Sequence, residues 1–131
     1  MFRLVKIIGS SNTYEETVRL PNNNKTDFTP GSALVCSNGA LVHASSDSFP
    51  DYIFTKHHTK DKSIATCYQV SDDMIFKVEY VSAIAPKIGM KIGISNSKGS
   101  ANSVTYNSSG KGMVTELGKT KNTVYVKFQR I

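Results

Sequence analysis

Residues 113–128 read MVTELGKTKNTVYVKF, and this stretch decides the fold class. In its second half Val124, Val126 and Phe128 alternate with more polar side chains. A two-residue period of this kind is typical of a β-strand that buries one face. The segment GKTKN, residues 118–122, is a turn, and the residues before it form another short apolar run. The stretch therefore predicts a β-hairpin made of Met113–Leu117 and Thr123–Phe128.

The same pattern extends towards the N-terminus. In Met74–Val81, the apolar side chains lie at every second position, with Lys77 and Glu79 between them. A helix over Ser71–Ala85 is the alternative, because Ser-Asp-Asp could cap one, but the β-branched and aromatic content favours a strand. Asn38-Gly39 predicts a type I′ hairpin turn. The remaining predicted strands are Phe2–Ile8, Tyr14–Leu20, Ala33–Cys36, Ala40–Ala44, Tyr52–Thr59, Ile64–Val70, Met90–Ile94 and Ser103–Tyr106.

The 131 residues fit one domain. Short strands separated by glycine or asparagine turns predict an all-β fold, either a β-sandwich or a β-barrel with short hairpin turns and about eight to eleven strands. The polar segment Pro21–Ser32 contains two prolines. We expect it to be a mobile loop that cannot continue a β-ladder.

The formal net charge of +6 is unevenly distributed. Residues 82–131 contain eight basic side chains and one acidic side chain, whereas residues 1–81 are close to neutral. This basic half suits an anionic partner, either nucleic acid or an acidic protein surface. Lysines at loop tips that keep a β protein soluble are the alternative explanation.

Cys36 and Cys67 both lie in apolar runs, which favours buried free thiols, while the sequence leaves open whether the two form a disulfide. The first residues, MFRLVKIIGSS, are expected to form a strand and not a signal peptide, because they have no cleavage motif. No run of residues is long and apolar enough to predict a membrane span.

No residue pattern predicts an active site, a cofactor site or a metal site. His57 and His58 are adjacent, so a strand would point them to opposite faces, and His43 lies in another segment. Asp72-Asp73 is typical of a turn. The segments Gly89–Gly93 and Gly110–Gly112 match no phosphate-binding motif. The sequence therefore indicates a binding protein and not an enzyme.

An OB-like barrel that binds single-stranded nucleic acid is the rival from another class. Such a protein needs a basic groove with aromatic side chains on which bases stack. In the basic half only Tyr106 and Tyr125 offer stacking, beside Lys111 and Lys127. Direct nucleic-acid binding is therefore the less favoured hypothesis.

The C-terminal segment Ile88–Phe128 resembles the closing part of small head proteins of tailed bacteriophages, in which short strands with glycine turns end in a T-V-x-V-x-F strand. Upstream, Pro30–Val35 and Asn38–Ala44 are similar to the opening of phage capsid decoration proteins: a glycine, a strand, Asn-Gly, a second strand and an alanine. Together these segments cover about half of the chain.

The resemblance implies a capsid decoration, or cement, protein without an active site or cofactor. Such proteins bind the major capsid protein lattice on the outside of the head and stabilise the shell, after synthesis in the bacterial cytoplasm. A head–tail connector or tail-associated protein is the alternative, and the state of homo-oligomerisation stays open. The expected capsid contacts are the loop-tip lysines, with the Pro21–Ser32 loop or the N-terminal strand as alternatives. These lysines are Lys98, Lys111, Lys119 and Lys121.

Overall fold

The computed structural model describes residues 1–8, 17–55, 62–97 and 100–130, and every regular element in these ranges is a β-strand. The predicted all-β fold is therefore confirmed, and the helix considered for Ser71–Ala85 is replaced by a strand and a loop. Numbered in chain order, the strands are β1 Arg3–Ile7, β2 Thr17–Pro21, β3 Ala33–Ser37, β4 Ala40–His43, β5 Tyr52–Phe54, β6 Ile64–Gln69, β7 Met74–Tyr80, β8 Lys91–Ser95, β9 Ser103–Tyr106, β10 Gly112–Leu117 and β11 Thr123–Phe128.

Five strands close into a barrel in the order β7-β11-β10-β8-β9. Neighbouring strands are antiparallel except at the closure, where the last two residues of β7 pair with the first two of β9 in parallel. Strand β1 pairs antiparallel with the first part of the same β7 edge, so that Arg3 lies opposite Lys77 and Ile7 lies opposite Met74. The N-terminal segment is therefore a strand of the barrel sheet, as expected.

Alternating side chains fill the barrel interior. Val124, Val126 and Phe128 of β11 are fully buried, which confirms the period seen in the sequence. The ring of Phe128 meets those of Phe2 and Phe76, with centroid distances of 5.8 Å and 6.3 Å. Tilted and edge-on contacts at such distances add to the stabilisation that comes from burial alone. This aromatic cluster also fixes the start of the chain against the barrel.

The other strands form a second sheet in the order β2-β6-β5-β3-β4. One face of this sheet joins the barrel core through Ala33 and Ile53. The opposite face carries a separate apolar cluster that includes Leu34 and Phe54. Because strand residues alternate between faces, neighbouring residues such as Ala33 and Leu34 serve different cores. The second sheet is thus buried on both faces over part of its area.

Apart from Pro21, the Pro21–Ser32 segment is a loop, as the sequence predicts, and it packs against the second sheet. Pro21 pairs with Ile64 as the last residue of edge strand β2, and Phe28 is buried against the second sheet. Asn22 is fully buried, and its Nδ2 donates to the carbonyl oxygens of Thr26 and Lys62, each at 2.8 Å. The segment is therefore a packed cover of the second apolar cluster, because one phenylalanine and one buried amide tie it down.

Two further predictions concern turns and thiols. Asn38 and Gly39 have φ values of 51° and 78°, as the predicted hairpin turn requires. Both cysteines are free, and Cys67 is buried, as expected. The expected burial of Cys36 is wrong, because Cys36 lies near the end of β3, where the strand projects beyond the core. His57 and His58, which the sequence analysis rejects as metal ligands, lie outside the described residues.

Candidate functional site

Two loops leave the barrel at the same end. The amide of Tyr80, the last residue of β7, donates to the carbonyl oxygen of Asn122 in the β10–β11 turn at 2.7 Å. The β7–β8 loop, residues 81–90, therefore begins beside that turn. It is fixed there by the Tyr80 hydroxyl, which donates to the carbonyl oxygen of Ile84 at 2.5 Å and contacts the Met90 sulfur at 3.5 Å. Further along, the Gly89 amide donates to the Val114 carbonyl at 2.8 Å, which attaches the loop to β10.

These loops expose apolar side chains on a well-anchored scaffold. Ile88 is 69% exposed and Ile84 is 48% exposed, both in the β7–β8 loop. Leu117, at the end of β10, is 45% exposed. Scattered single apolar residues are normal on protein surfaces, but several at one end of a barrel suit contact with another protein. We call these three residues and the lysines around them the barrel-end surface.

The barrel-end surface has a basic rim. Lys119 and Lys121, predicted from the sequence as partner contacts, lie exposed in the β10–β11 turn, and Lys87 lies in the β7–β8 loop. Glu116 is the one acidic side chain that residues 81–90 and 116–122 contain. The surface therefore combines exposed apolar side chains with positive charge, a combination that suits contact with an acidic protein partner.

The three predicted lysines that the structure describes lie at the two ends of β10. Lys111 precedes β10, whereas Lys119 and Lys121 follow it, so the strand separates them by about 20 Å at ~3.3 Å per residue. Lys98 lies outside the described residues. Among the described members of the set, Lys119 and Lys121 lie together, on the barrel-end surface.

Lys111 instead belongs to a second basic surface on the outer side of the barrel. Strand pairing places Met113 of β10 between Lys91 of β8 and Lys127 of β11. With Lys111 and the backbone of Gly110, these residues line a cleft of about 380 Å³. We call this the lysine cleft. Sequence reasoning missed it because Lys91 and Lys127 are far apart in the chain. Only the strand order brings them to either side of Met113.

The question of a metal site has a plain answer within the described residues. Within these ranges, no three His, Cys, Asp or Glu side chains are grouped to hold a metal ion. Asp73 accepts a hydrogen bond from the Ser71 hydroxyl, which is the turn role predicted for it. At Gly110 an added Cβ would lie 2.0 Å from the carbonyl oxygen of Ile92, so this glycine serves close packing. No helix in the described part of the chain is long and apolar enough to cross a bilayer.

Two titratable groups lie in apolar surroundings in the second sheet. Burial raises the pKa of the Cys67 thiol to about 12, with a smaller contribution from Cys36. Burial also lowers the pKa of His43, whose ring packs edge-on against Phe28 at 5.4 Å. In the described part of the protein, His43 Nε2 is buried and has no hydrogen-bond partner. Apolar packing therefore favours the neutral form of both groups.

Another cleft lies elsewhere on the protein. It has a volume of about 600 Å³ and is lined by Phe49, Val70, Asp72 and Arg130 among others. The guanidinium of Arg130 lies 4.1 Å from the centre of the Phe49 ring and donates to Asp51 Oδ1 at 3.0 Å. Since this cation is already paired, the cleft offers less binding capacity than its size indicates.

Comparison with known proteins identifies a similar solved structure. No family model and no curated protein matches the sequence. The N base of the head fiber gp8.5 in bacteriophage phi29 superposes with a TM-score of 0.54 at 17% identity. The match covers 88% of this chain and 94% of that chain. The chain shares its fold with a bacteriophage head protein.

At this identity the likeness concerns the fold alone. Because the barrel strands β7–β11 lie within residues 74–128, a match over 88% of the chain extends into the second sheet as well. It therefore involves more than a five-stranded barrel, which is a common architecture. The resemblance to phage head proteins seen in the sequence is confirmed at the level of the fold.

Proposed function

We propose that this protein is a structural component of a tailed-phage virion that binds the outer surface of the major capsid protein lattice and stabilises the head. The observation that carries the proposal is the shared fold with the phi29 head fiber base over nearly the whole of both chains. The contact with the capsid is assigned to the barrel-end surface. In this role the protein binds and does not catalyse a reaction.

The barrel-end surface supplies the features that such attachment requires. Ile84, Ile88 and Leu117 present apolar area that a partner can bury, and central apolar side chains contribute most of the binding energy in protein interfaces. Lys119 and Lys121 at the rim attract an acidic partner and accelerate encounter. Because the loops are hydrogen-bonded to the barrel, little conformational entropy is lost on binding.

The repeating lattice strengthens a modest single contact. A capsid presents the same docking site many times. A subunit that touches two capsid proteins makes its second contact at an effective concentration far above that in solution, and the same holds for two bound subunits that touch each other. Individual contacts of moderate strength are therefore sufficient for high occupancy.

Attachment is tested with purified, DNA-free heads of the phage that carries the gene. We expect the protein to sediment with the heads, and the variant Lys119→Glu/Lys121→Glu to bind more weakly and with a slower association rate at low salt. The variant Lys25→Glu, which alters an exposed lysine in the cover of the second sheet, is the matched control and should bind normally. Equal binding by all three proteins would exclude the barrel-end surface.

Binding to tails and to single-stranded DNA separates the alternative functions. A head–tail connector or tail protein would bind tails or the unique vertex and leave the shell bare. A nucleic-acid-binding barrel would retard single-stranded DNA in a gel, and counterion release would make that binding fall steeply with salt. Either outcome in place of shell binding would refute the proposal.

A further inference from the structure

The lysine cleft carries positive charge that the described part of the protein does not neutralise. Lys91, Lys111 and Lys127 line the cleft, and no acidic residue of the described ranges lines it with them. Ion pairs elsewhere in those ranges join Lys62 to Asp27 and Arg130 to Asp51, but none involves a cleft lysine. Three ammonium groups around a small cleft repel one another, and a bound anion relieves this repulsion.

The geometry of the cleft limits the kind of anion. Lys91 and Lys127 stand on either side of Met113, each on a neighbouring strand, so about 10 Å separates their backbones at ~4.8 Å per strand. Met113 is 37% exposed between them and offers an apolar floor. A cleft of about 380 Å³ accepts a few side chains of another chain, and not a large ligand.

The lining favours an acidic protein segment over nucleic acid. Among the residues that the structure describes, no aromatic side chain lines the cleft, so bases have no surface on which to stack. A segment that carries carboxylates and an apolar side chain matches both the lysines and Met113. Since β10 is paired on both edges, by β8 and β11, such a segment must bind through its side chains and not as an added strand.

We propose that the lysine cleft is a binding site for an acidic segment of a partner protein, with carboxylates at Lys91, Lys111 and Lys127 and an apolar side chain over Met113. The site lies on the side of the barrel, distinct from the barrel-end surface. It does not depend on the proposed attachment to a capsid, because its chemistry defines the ligand whatever protein supplies it.

The test is a titration of the isotope-labelled full chain, followed by its backbone amide resonances. The probes are a short capped peptide that alternates glutamate and leucine, the same peptide with glutamine for glutamate, and an oligothymidylate. We expect the acidic peptide to shift the resonances of Lys91, Lys111, Met113 and Lys127, with an affinity that falls as salt rises. The glutamine peptide and the oligothymidylate should bind much more weakly.

A double variant, Lys91→Gln/Lys127→Gln, should lose affinity for the acidic peptide by roughly 2- to 30-fold, as expected for two lysine–carboxylate pairs. Lys25→Gln is the matched control and should bind the peptide unchanged. The amide spectrum of each variant shows whether it folds. Shifts centred on Lys119 and Lys121, equal losses in the double variant and the control, or tighter binding of oligothymidylate would each overturn the proposal.

Discussion

Replacing Ile88 by serine gives the sharpest test of the barrel-end surface. Ile88 is 69% exposed, so the substitution removes apolar area without leaving a cavity in the core. Ile8 is the matched control, because it is also an isoleucine and is 46% exposed. Its amide donates to the carbonyl oxygen of Asp73, just before β7, which places it at the opposite end of that strand from Tyr80.

The size of the effect follows from the area that remains to be buried. Full burial of an isoleucine side chain contributes about 1.5–3 kcal/mol of favourable free energy. With about two-thirds of Ile88 still exposed in the free protein, capsid contact can gain about 1–2 kcal/mol from this residue. Loss of that contribution corresponds to a rise of about 5- to 30-fold in the dissociation constant for each contact.

The assay measures the protein concentration that half-saturates purified DNA-free heads in co-sedimentation. Ile88→Ser should require a higher concentration by that factor, whereas Ile8→Ser should behave like the unchanged protein. Urea denaturation of both variants checks that folding is intact. The reasoning is refuted if Ile88→Ser binds normally, or if both substitutions weaken binding to the same extent.

Three further predictions concern folding and buried groups. In Gly93→Ala the new Cβ would lie 2.1 Å from the carbonyl oxygen of Ser46, so urea denaturation should show a free energy of unfolding lower by about 1–3 kcal/mol. A thiol reagent should label Cys36 in the native protein and Cys67 only after unfolding, because burial raises the pKa of Cys67 to about 12. Burial lowers the pKa of His43 from 6.5, so the unfolded chain binds this proton more tightly and stability should fall as pH drops below about 6.5. His43→Leu should remove that part of the pH dependence.

Each of these predictions has a contrary result. Unchanged stability of Gly93→Ala would mean that the segment around Ser46 is not held against β8. Rapid labelling of both thiols in the native state would contradict the burial of Cys67. A pH dependence that persists in His43→Leu would assign the titration to another group.

Much of the fold could be predicted from the sequence because its signals are local. Alternation in β7 and β11 indicates which side chains enter the core, and Asn38-Gly39 requires positive φ values that only a few residues adopt readily. The Pro21–Ser32 segment could not be read in this way. Its packing depends on Phe28, which contacts a sheet built largely from later residues, and on the Asn22 amide, which donates to the carbonyl oxygen of Lys62.

The same difference between local and long-range signals applies to the candidate site. Lys119 and Lys121 could be singled out because glycine and asparagine around them predict an exposed turn. The lysine cleft could not, since cross-strand neighbours follow from strand order, and the sequence does not show that β8 pairs with β10. Ile84 and Ile88 resemble core residues in sequence, and only their place in a loop outside the barrel exposes them.

Electron cryomicroscopy of heads with and without this protein tests the central claim most directly. The account predicts added density at repeating positions on the outer surface of the shell, with the apolar end of the barrel towards the capsid protein. Density confined to the tail or to a single vertex, or shells that look identical with and without the protein, would contradict it.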